Sequence, residues 1–279
     1  MKPALLFLPL LLTAPCANAA LIASWNLDEL SGNVNSSAGT YAPGTPTGTP
    51  DYGQPGVPNG TYGAIAVVNG GGSSMTFGPS NVDEFFTVGT DNVNAVNAID
   101  RTGSFTVMAW IKTSLTATVG TYRPISTGSG AGADGGWGFG LRINATTGIG
   151  SSIRFTTYAI ADNNSPLFDV SLGQWTHLAT TYSNGAINYF LNGVQLATGS
   201  TSLFNNDLDA ARLTLGSRLG ANDTDQVNGG VDGIRVYDTV LSAGEIASAA
   251  AASVSAVPEP SALSAAALGL AALARRRRR

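Results

Sequence analysis

The chain has 279 residues, with 11% charged, 43% hydrophobic, 35 glycines, one cysteine and one histidine. That apolar content excludes a disordered chain, and the glycine excess favours a turn-rich all-β protein. Lone Cys16 and lone His177 exclude a disulfide framework and multi-histidine zinc chemistry. Residues 21–256 carry eight basic against 17 acidic residues, a balance of −9. Phosphate contacts need Lys and Arg, so nucleic acid is excluded as a partner, whereas an extracellular module with bound Ca²⁺ suits the balance.

Residues 1–19 read as a secretory signal peptide, handled by the Sec export machinery. Lys2 supplies the positive start, Ala4 to Leu12 the apolar run, and Ala17-Asn18-Ala19 the small-x-small cleavage site. Cleavage after Ala19 removes Cys16. Residues 20–248 then form one domain, opened by a strand over Leu21–Leu27. Residues 35–63, full of Pro, Gly and Thr, read as a long irregular loop. Ser74–Phe77 and Phe85–Val88 are short strands. In Phe105–Ile111, the two-residue period puts Phe105, Val107, Ala109 and Ile111 on one face and Thr106, Met108 and Trp110 on the other.

Gly138–Ile143 and Ile153–Ile160 are further strands. Thr176–Tyr182, Ala186–Leu191 and Val194–Ala197 follow, joined by turns at Ser183-Asn184-Gly185 and Asn192-Gly193. The Asn-Gly pair marks a two-residue hairpin whose central residues need positive φ. Ile187, Tyr189 and Leu191 share a face. Arg212–Gly216 and Gly233–Tyr237 complete the strands. Ser242 and Glu245 form a capping box with Leu241 and Ile246 as a hydrophobic staple, which predicts a short helix. An Ala/Ser linker is expected at 249–256. Short strands with Gly-rich turns point to two packed antiparallel sheets.

Two constellations carry candidate chemistry. Asp28 ends the first strand and Asp232 starts the last. If those strands are neighbours, the two carboxylates can share a structural Ca²⁺, which takes hard oxygen ligands; otherwise they serve turn backbone groups. Sugar binding needs an exposed aromatic platform. Trp137, flanked by Gly, is the first choice and Tyr122 the second, the alternative for Trp137 being a core position. Trp25, Trp110 and Trp175 lie in strands and read as packing. Asp207, Asp209, Asp223 and Asp225 sit in Asn- and Gly-rich loops and read as solvated, with Ca²⁺ binding the next possibility. His177 reads as structural, with no Ser-nucleophile signature nearby.

The order of Leu21–Glu29, Ser104–Ile111, Gln174–Ala179, Leu191–Gly193, Val231–Asp238 and Leu241–Ile246 resembles the laminin-G-like jelly roll of the concanavalin A-like lectin/glucanase superfamily. The resemblance implies an all-β, two-sheet antiparallel jelly-roll sandwich with one short C-terminal helix. It is specific for fold, and that fold hosts lectins, adhesion modules and some hydrolases. Many relatives carry two adjacent acids in the closing strand, where this chain has Asp232 and then Gly233. The Glu-x-Asp-x-x-Glu strand of the related glucanases does not occur.

At the other end, Val257-Pro258-Glu259-Pro260 precedes an apolar Ser261 to Ala274 and five arginines, Arg275 to Arg279. These three parts resemble the PEP-CTERM sorting signal of Gram-negative bacteria, covering 257–279. The resemblance implies a short transmembrane helix held transiently in the inner membrane. It further implies recognition by an exosortase-type enzyme, processing near Val257, Pro258, Glu259 and Pro260, and delivery to the cell surface or exopolysaccharide layer. Together these readings lead us to expect a secreted, surface-sorted, non-catalytic module for recognition or adhesion, with glycan or exopolysaccharide as partner. A glycan-cleaving enzyme and a structural matrix protein without a specific ligand are the alternatives.

Overall fold

The computed structural model describes residues 19–39, 41–78, 84–88, 103–127, 136–158, 160–201, 213–218 and 225–254. In chain order the strands begin with β1 (Leu21–Trp25), β2 (Gly44–Thr47), β3 (Asp51–Pro55), β4 (Gly60–Tyr62) and β5 (Ile65–Val67). Next come β6 (Ser73–Phe77), β7 (Phe85–Val88), β8 (Ser104–Thr113), β9 (Gly120–Thr127), β10 (Trp137–Ile143) and β11 (Ser152–Thr157). Then follow β12 (Ala161–Asn164), β13 (Trp175–Ser183), β14 (Ala186–Leu191), β15 (Val194–Ser200), β16 (Leu213–Leu215) and β17 (Gly229–Tyr237). The helix α1 (Ala243–Ser253) closes the domain.

Two antiparallel sheets pack as a sandwich. One runs β15-β14-β13-β8-β17-β6-β3, with β1 also pairing β17; the other runs β12-β11-β10-β9-β16-β7-β2. The first is anchored by β8, whose ladder with β13 extends unbroken from Trp175 opposite Lys112 to Ser183 opposite Ser104. The expected alternation holds. Phe105, Val107, Ala109 and Ile111 enter the core between the sheets, with Trp25, Phe77, Phe86, Phe139, Phe155 and Tyr182. Met108 and Trp110 point the other way, into two smaller apolar clusters under α1 and the β4–β5 hairpin. At the hairpin turns Asn184, Gly185, Asn192 and Gly193 all have positive φ, as their sequence predicts.

Two expectations are corrected. Residues 35–63 are not one irregular loop: β2, β3 and β4 lie within them. β2 and β3 are the outermost strands of their sheets, β2 meeting only Val34 on its open side, at Gly44, so Pro46 and Pro55 leave no neighbouring strand without a donor. That tolerance hid them in the sequence. Residues 249–256 are not simply a linker, because α1 runs through Ala249 to Ser253 and buries Ala250 and Ser253. The small side chains that suggest a linker also let a helix lie close on a sheet.

Candidate functional site

Asp28 and Asp232 come together because β17 changes neighbours midway. β6 pairs with Gly229 to Val231, and β1 pairs with Ile234 to Tyr237. Between these ladders, the β17–β8 register shifts between Asp232 and Arg235. Asp232 lies inside this strand, not at its start, and sits at the break. The chain leaving β1 brings Asp28 there, and the chain entering β6 brings Ser73. Leu27, directly before Asp28, is held at φ 58, a left-handed conformation that costs a branched L-residue roughly 1–2 kcal/mol. Gly233 has φ 54, and a Cβ there would strike Ser253 at the end of α1. The position after Asp232 is closed by the end of the helix.

The carboxylates are only partly satisfied. Asp28 Oδ1 accepts from Ser73 N at 3.0 Å, and Asp232 Oδ2 accepts from Val57 N at 3.3 Å. Asp232 is 2% exposed, and its Oδ1 is buried with no hydrogen-bond donor. Burial pushes its carboxyl well above the usual range; the Asp28 charge adds to this, while the Val57 and Gly233 N–H groups oppose it. Asp28 is also raised, chiefly by burial. A Cβ on Gly56 would stand 2.7 Å from Gly72 O, 2.9 Å from Asp232 Oδ2 and 3.0 Å from Ser73 O, so oxygens surround a point that only a glycine leaves open. Among the described residues no group of three or more His, Cys, Asp or Glu side chains is placed to hold a metal. Any further ligands here would be backbone carbonyls or water.

The expected sugar platform is not there. Trp137 begins β10 instead of riding in a loop, and the strand period turns it inward with Phe139, Leu141 and Ile143. It is fully buried and stacks on Phe105 at 5.3 Å between ring centroids. Tyr122 is buried too, and its hydroxyl is held by Thr118 N at 2.8 Å and Thr118 O at 3.1 Å. Neither ring offers a face to a ligand. His177 is wholly buried with its ring edge-on to Trp110, 5.1 Å between centroids, and neither ring nitrogen has a hydrogen-bond partner. Burial lowers its pKa to about 3, which fits a packed neutral imidazole.

Two features escaped the sequence reading. One is a groove of about 550 Å³ at the end of the eight-stranded sheet, lined by Gln54, Thr76, Lys112, Ser114, Thr116 and Asn228 among others. The signal for it was the single lysine between the two ends. The other is an ionic cluster on the seven-stranded sheet. Asp225, expected to be solvated, lies 3.5 Å from Arg123 Nε and 3.2 Å from Arg218 Nε, and both guanidinium groups sit over the Tyr158 ring. Ala17, Asp207, Asp209, Asp223 and Val257, Pro258, Glu259 and Pro260 lie outside the described residues. Ala19 packs beside Tyr237 and Leu241. Among the described residues no helix is long and apolar enough to cross a membrane; the apolar segment 261–274 is not among them.

Residues 87–247 match the family model of the concanavalin A-like lectin/glucanases superfamily, and residues 256–279 match that of the PEP-CTERM protein-sorting motif. No curated protein matches the chain. Among solved structures, domain 4 of AbnA, a GH43 extracellular arabinanase from Geobacillus stearothermophilus in complex with arabinotriose, is similar at 21% identity. The match covers 83% of this chain and 98% of that one, with a TM-score of 0.54. The binding domain of botulinum neurotoxin DC, in complex with rat synaptotagmin II, is 14% identical over 81% of this chain and 50% of that one, with a TM-score of 0.52. A Trypanosoma rangeli sialidase is 14% identical over 81% of this chain and 32% of that one, with a TM-score of 0.51.

Proposed function

This chain belongs to the concanavalin A-like lectin/glucanase superfamily, and from that premise we propose that it is a surface-sorted recognition module that holds extracellular polysaccharide without cleaving it. The PEP-CTERM motif indicates export and surface sorting, so the domain works outside the cytoplasm. Its expected route is Sec export, a transient stay in the inner membrane through residues 261–274, and release by an exosortase-type enzyme. The arabinanase domain, solved with arabinotriose, lends support to a carbohydrate ligand.

One observation carries the choice of binding over cleavage. Among the described residues, Asp28 and Asp232 are brought together where Asp232 is sealed beneath Gly56 and Val57. A glycosidase needs two carboxyl groups flanking a substrate bond, with room for the sugar between them. This pair instead has hard oxygens, unsatisfied charge and a confined space, the needs of a structural cation. Asp28 and Asp232, with the carbonyls of Gly72 and Ser73, would hold Ca²⁺. Its role would be to neutralise the pair and pin the 54–57 segment to the closing strand.

The test is a glycan array probed with the full chain, with and without Ca²⁺. It is paired with thermal melting in EDTA. Retention of polysaccharide without shortening of the chains is the expected result. At free Ca²⁺ near 100 times Kd the ion stabilises the fold by about 2.7 kcal/mol, so EDTA should lower Tm and Asp232→Asn should abolish that response. An unchanged melt in EDTA removes the cation site. Shortened chains that track the purified protein favour the glycan-cleaving alternative, and ordered self-assembly without glycan binding favours the matrix protein.

A further inference from the structure

We propose that the groove at the end of the eight-stranded sheet is the polysaccharide site and that it takes an anionic sugar, its carboxylate or sulfate group paired with Lys112. The proposal rests on the recognition reading above and names the ligand class and the place.

The groove crosses the ends of β8, β17, β6 and β3 on the sheet's outer face. Register sets its membership: Lys112 is opposite Gly230, and Gly230 is opposite Thr76, so all three lie on one side of the sheet. Two glycines make the floor. A Cβ on Gly230 would meet the Trp175 ring at 3.0 Å, and one on Gly229 would strike the Lys112 carbonyl and Ser114 N. Both are buried, Gly230 beneath the Trp175 ring and Gly229 against the Lys112 backbone, so the strand ends pack closely beneath the groove and no side chain from this stretch of β17 rises into it. The volume of about 550 Å³ lies in the range of small-ligand sites, roughly 300–1,000 Å³.

The lining fits a saccharide. Thr76, Ser114, Thr116, Gln54 and Asn228 offer hydroxyl and amide groups that both donate and accept. Asn228 Nδ2 is engaged only by a long 3.4 Å bond to Thr116 O, and Gln54 Nε2 by a 3.4 Å bond to Tyr52 O. Leu115, 76% exposed at the rim, supplies an apolar surface for the C–H face of a sugar ring.

Charge decides the class. Lys112 is the only lysine in residues 21–256. Arg123, Arg154 and Arg218 are each paired with an aspartate. Among the described residues no carboxylate lies within ion-pair distance of Lys112; its ammonium rests over the Trp175 ring at 5.2 Å. A compact cation without a carboxylate partner, on a residue that lines a groove of hydroxyls and amides, suits a uronic acid or a sulfated sugar.

Isothermal titration of the full chain in detergent, with Ca²⁺ present, tests this. The titrants are an oligogalacturonate, a dextran sulfate and neutral arabinan. Tighter binding of either anionic polymer than of arabinan is expected, and which of the two binds identifies the carboxylate or the sulfate ester as the anion. Lys112→Gln should weaken that binding at least tenfold with Tm held, and Lys112→Arg should restore most of it. If arabinan binds as tightly and Lys112→Gln changes nothing, the anionic assignment fails while the recognition reading stands. If no polysaccharide binds, both fail.

Discussion

On the outer face of the eight-stranded sheet, Met108, Trp110, His177 and Ala179 lie buried under α1 and the β4–β5 hairpin. On the outer face of the seven-stranded sheet, equivalent positions carry Thr121, Arg123, Ser126, Arg142, Arg154 and Thr214. The first face is closed by apolar contact. The second is organised by directed bonds: Tyr158 Oη and Ser126 Oγ are hydrogen-bonded at 2.6 Å, Thr214 Oγ1 donates to Ser217 O at 2.6 Å, and Arg154 Nη1 donates to Asp162 Oδ2 at 2.9 Å. Buried apolar area stabilises without regard to direction, at roughly 25 cal/mol per Å², whereas exchanging water for protein partners leaves a typical hydrogen bond only about 1 kcal/mol of net gain. Stability should therefore reside on the sealed face, and the polar face should contribute mainly orientation.

The sharpest way to break this comparison is to remove one large side chain from each face. Trp110 is fully buried, packs edge-on against Tyr62 at 4.9 Å between centroids, and donates Nε1–H to Ala250 O at 3.1 Å. Trp110→Ala should cost about 3–5 kcal/mol by denaturant unfolding. Arg154→Ala loses an ion pair that is open to water at Asp162 and half-buried at Arg154, and should cost about 1 kcal/mol. Equal losses would mean that the polar network stabilises as much as the helix seal.

Acid offers a second probe, because His177 belongs to the sealed face. Its folded pKa of about 3 lies below the ordinary 6.5. The unfolded chain therefore takes up a proton as pH falls through 6.5, while the folded chain stays neutral until about 3. Stability from this residue is complete above pH 6.5 and is lost progressively between 6.5 and 3, by up to about 4 kcal/mol. Asp232, whose carboxyl is raised, runs the opposite way in metal-free protein, adding stability as pH falls. The measurement is thus the difference between wild type and His177→Leu across pH 7 to 3. A flat difference would show that His177 is reached by water when folded.

The two faces were also unequally legible. The inner strands and the sealed face follow from alternation and capping: Phe105 to Ile111 and Ser242 with Glu245 are local signals, and each is found as written. Asp28 and Asp232 were paired by supposing that the terminal strands are neighbours, and β1 does lie against β17. What put the break in the ladder beside Asp232 was invisible, because it depends on β6 replacing β1 along one edge. Trp137 takes the core alternative of its reading. Its platform reading arose because glycines on both sides look alike in a loop and in a strand whose outer face must let Tyr158 and Arg123 approach Gly138. The groove at Lys112 and the Arg123–Asp225–Arg218 cluster join residues far apart in sequence, with no spacing to announce them.

The smallest effect concerns how the seal is held at its end. Ser242 Oγ accepts from Glu245 N at 3.3 Å, while Glu245 Oε2 accepts from Ser242 N at 2.8 Å, so each satisfies a donor that the first turn of α1 leaves unpaired. These bonds are exposed, and they compete with water. Ser242→Ala should therefore cost only about 1 kcal/mol, and Ser242→Asp should retain most of the cap. The EDTA response should not change, since the Asp28–Asp232 pair lies by the other end of α1, where Ser253 closes over Gly233. A loss as large as that of Trp110→Ala would overturn the assignment of stability to the contact face. It would mean that α1 stays on the sheet through its first turn, and that the apolar surface beneath closes only once that turn is fixed.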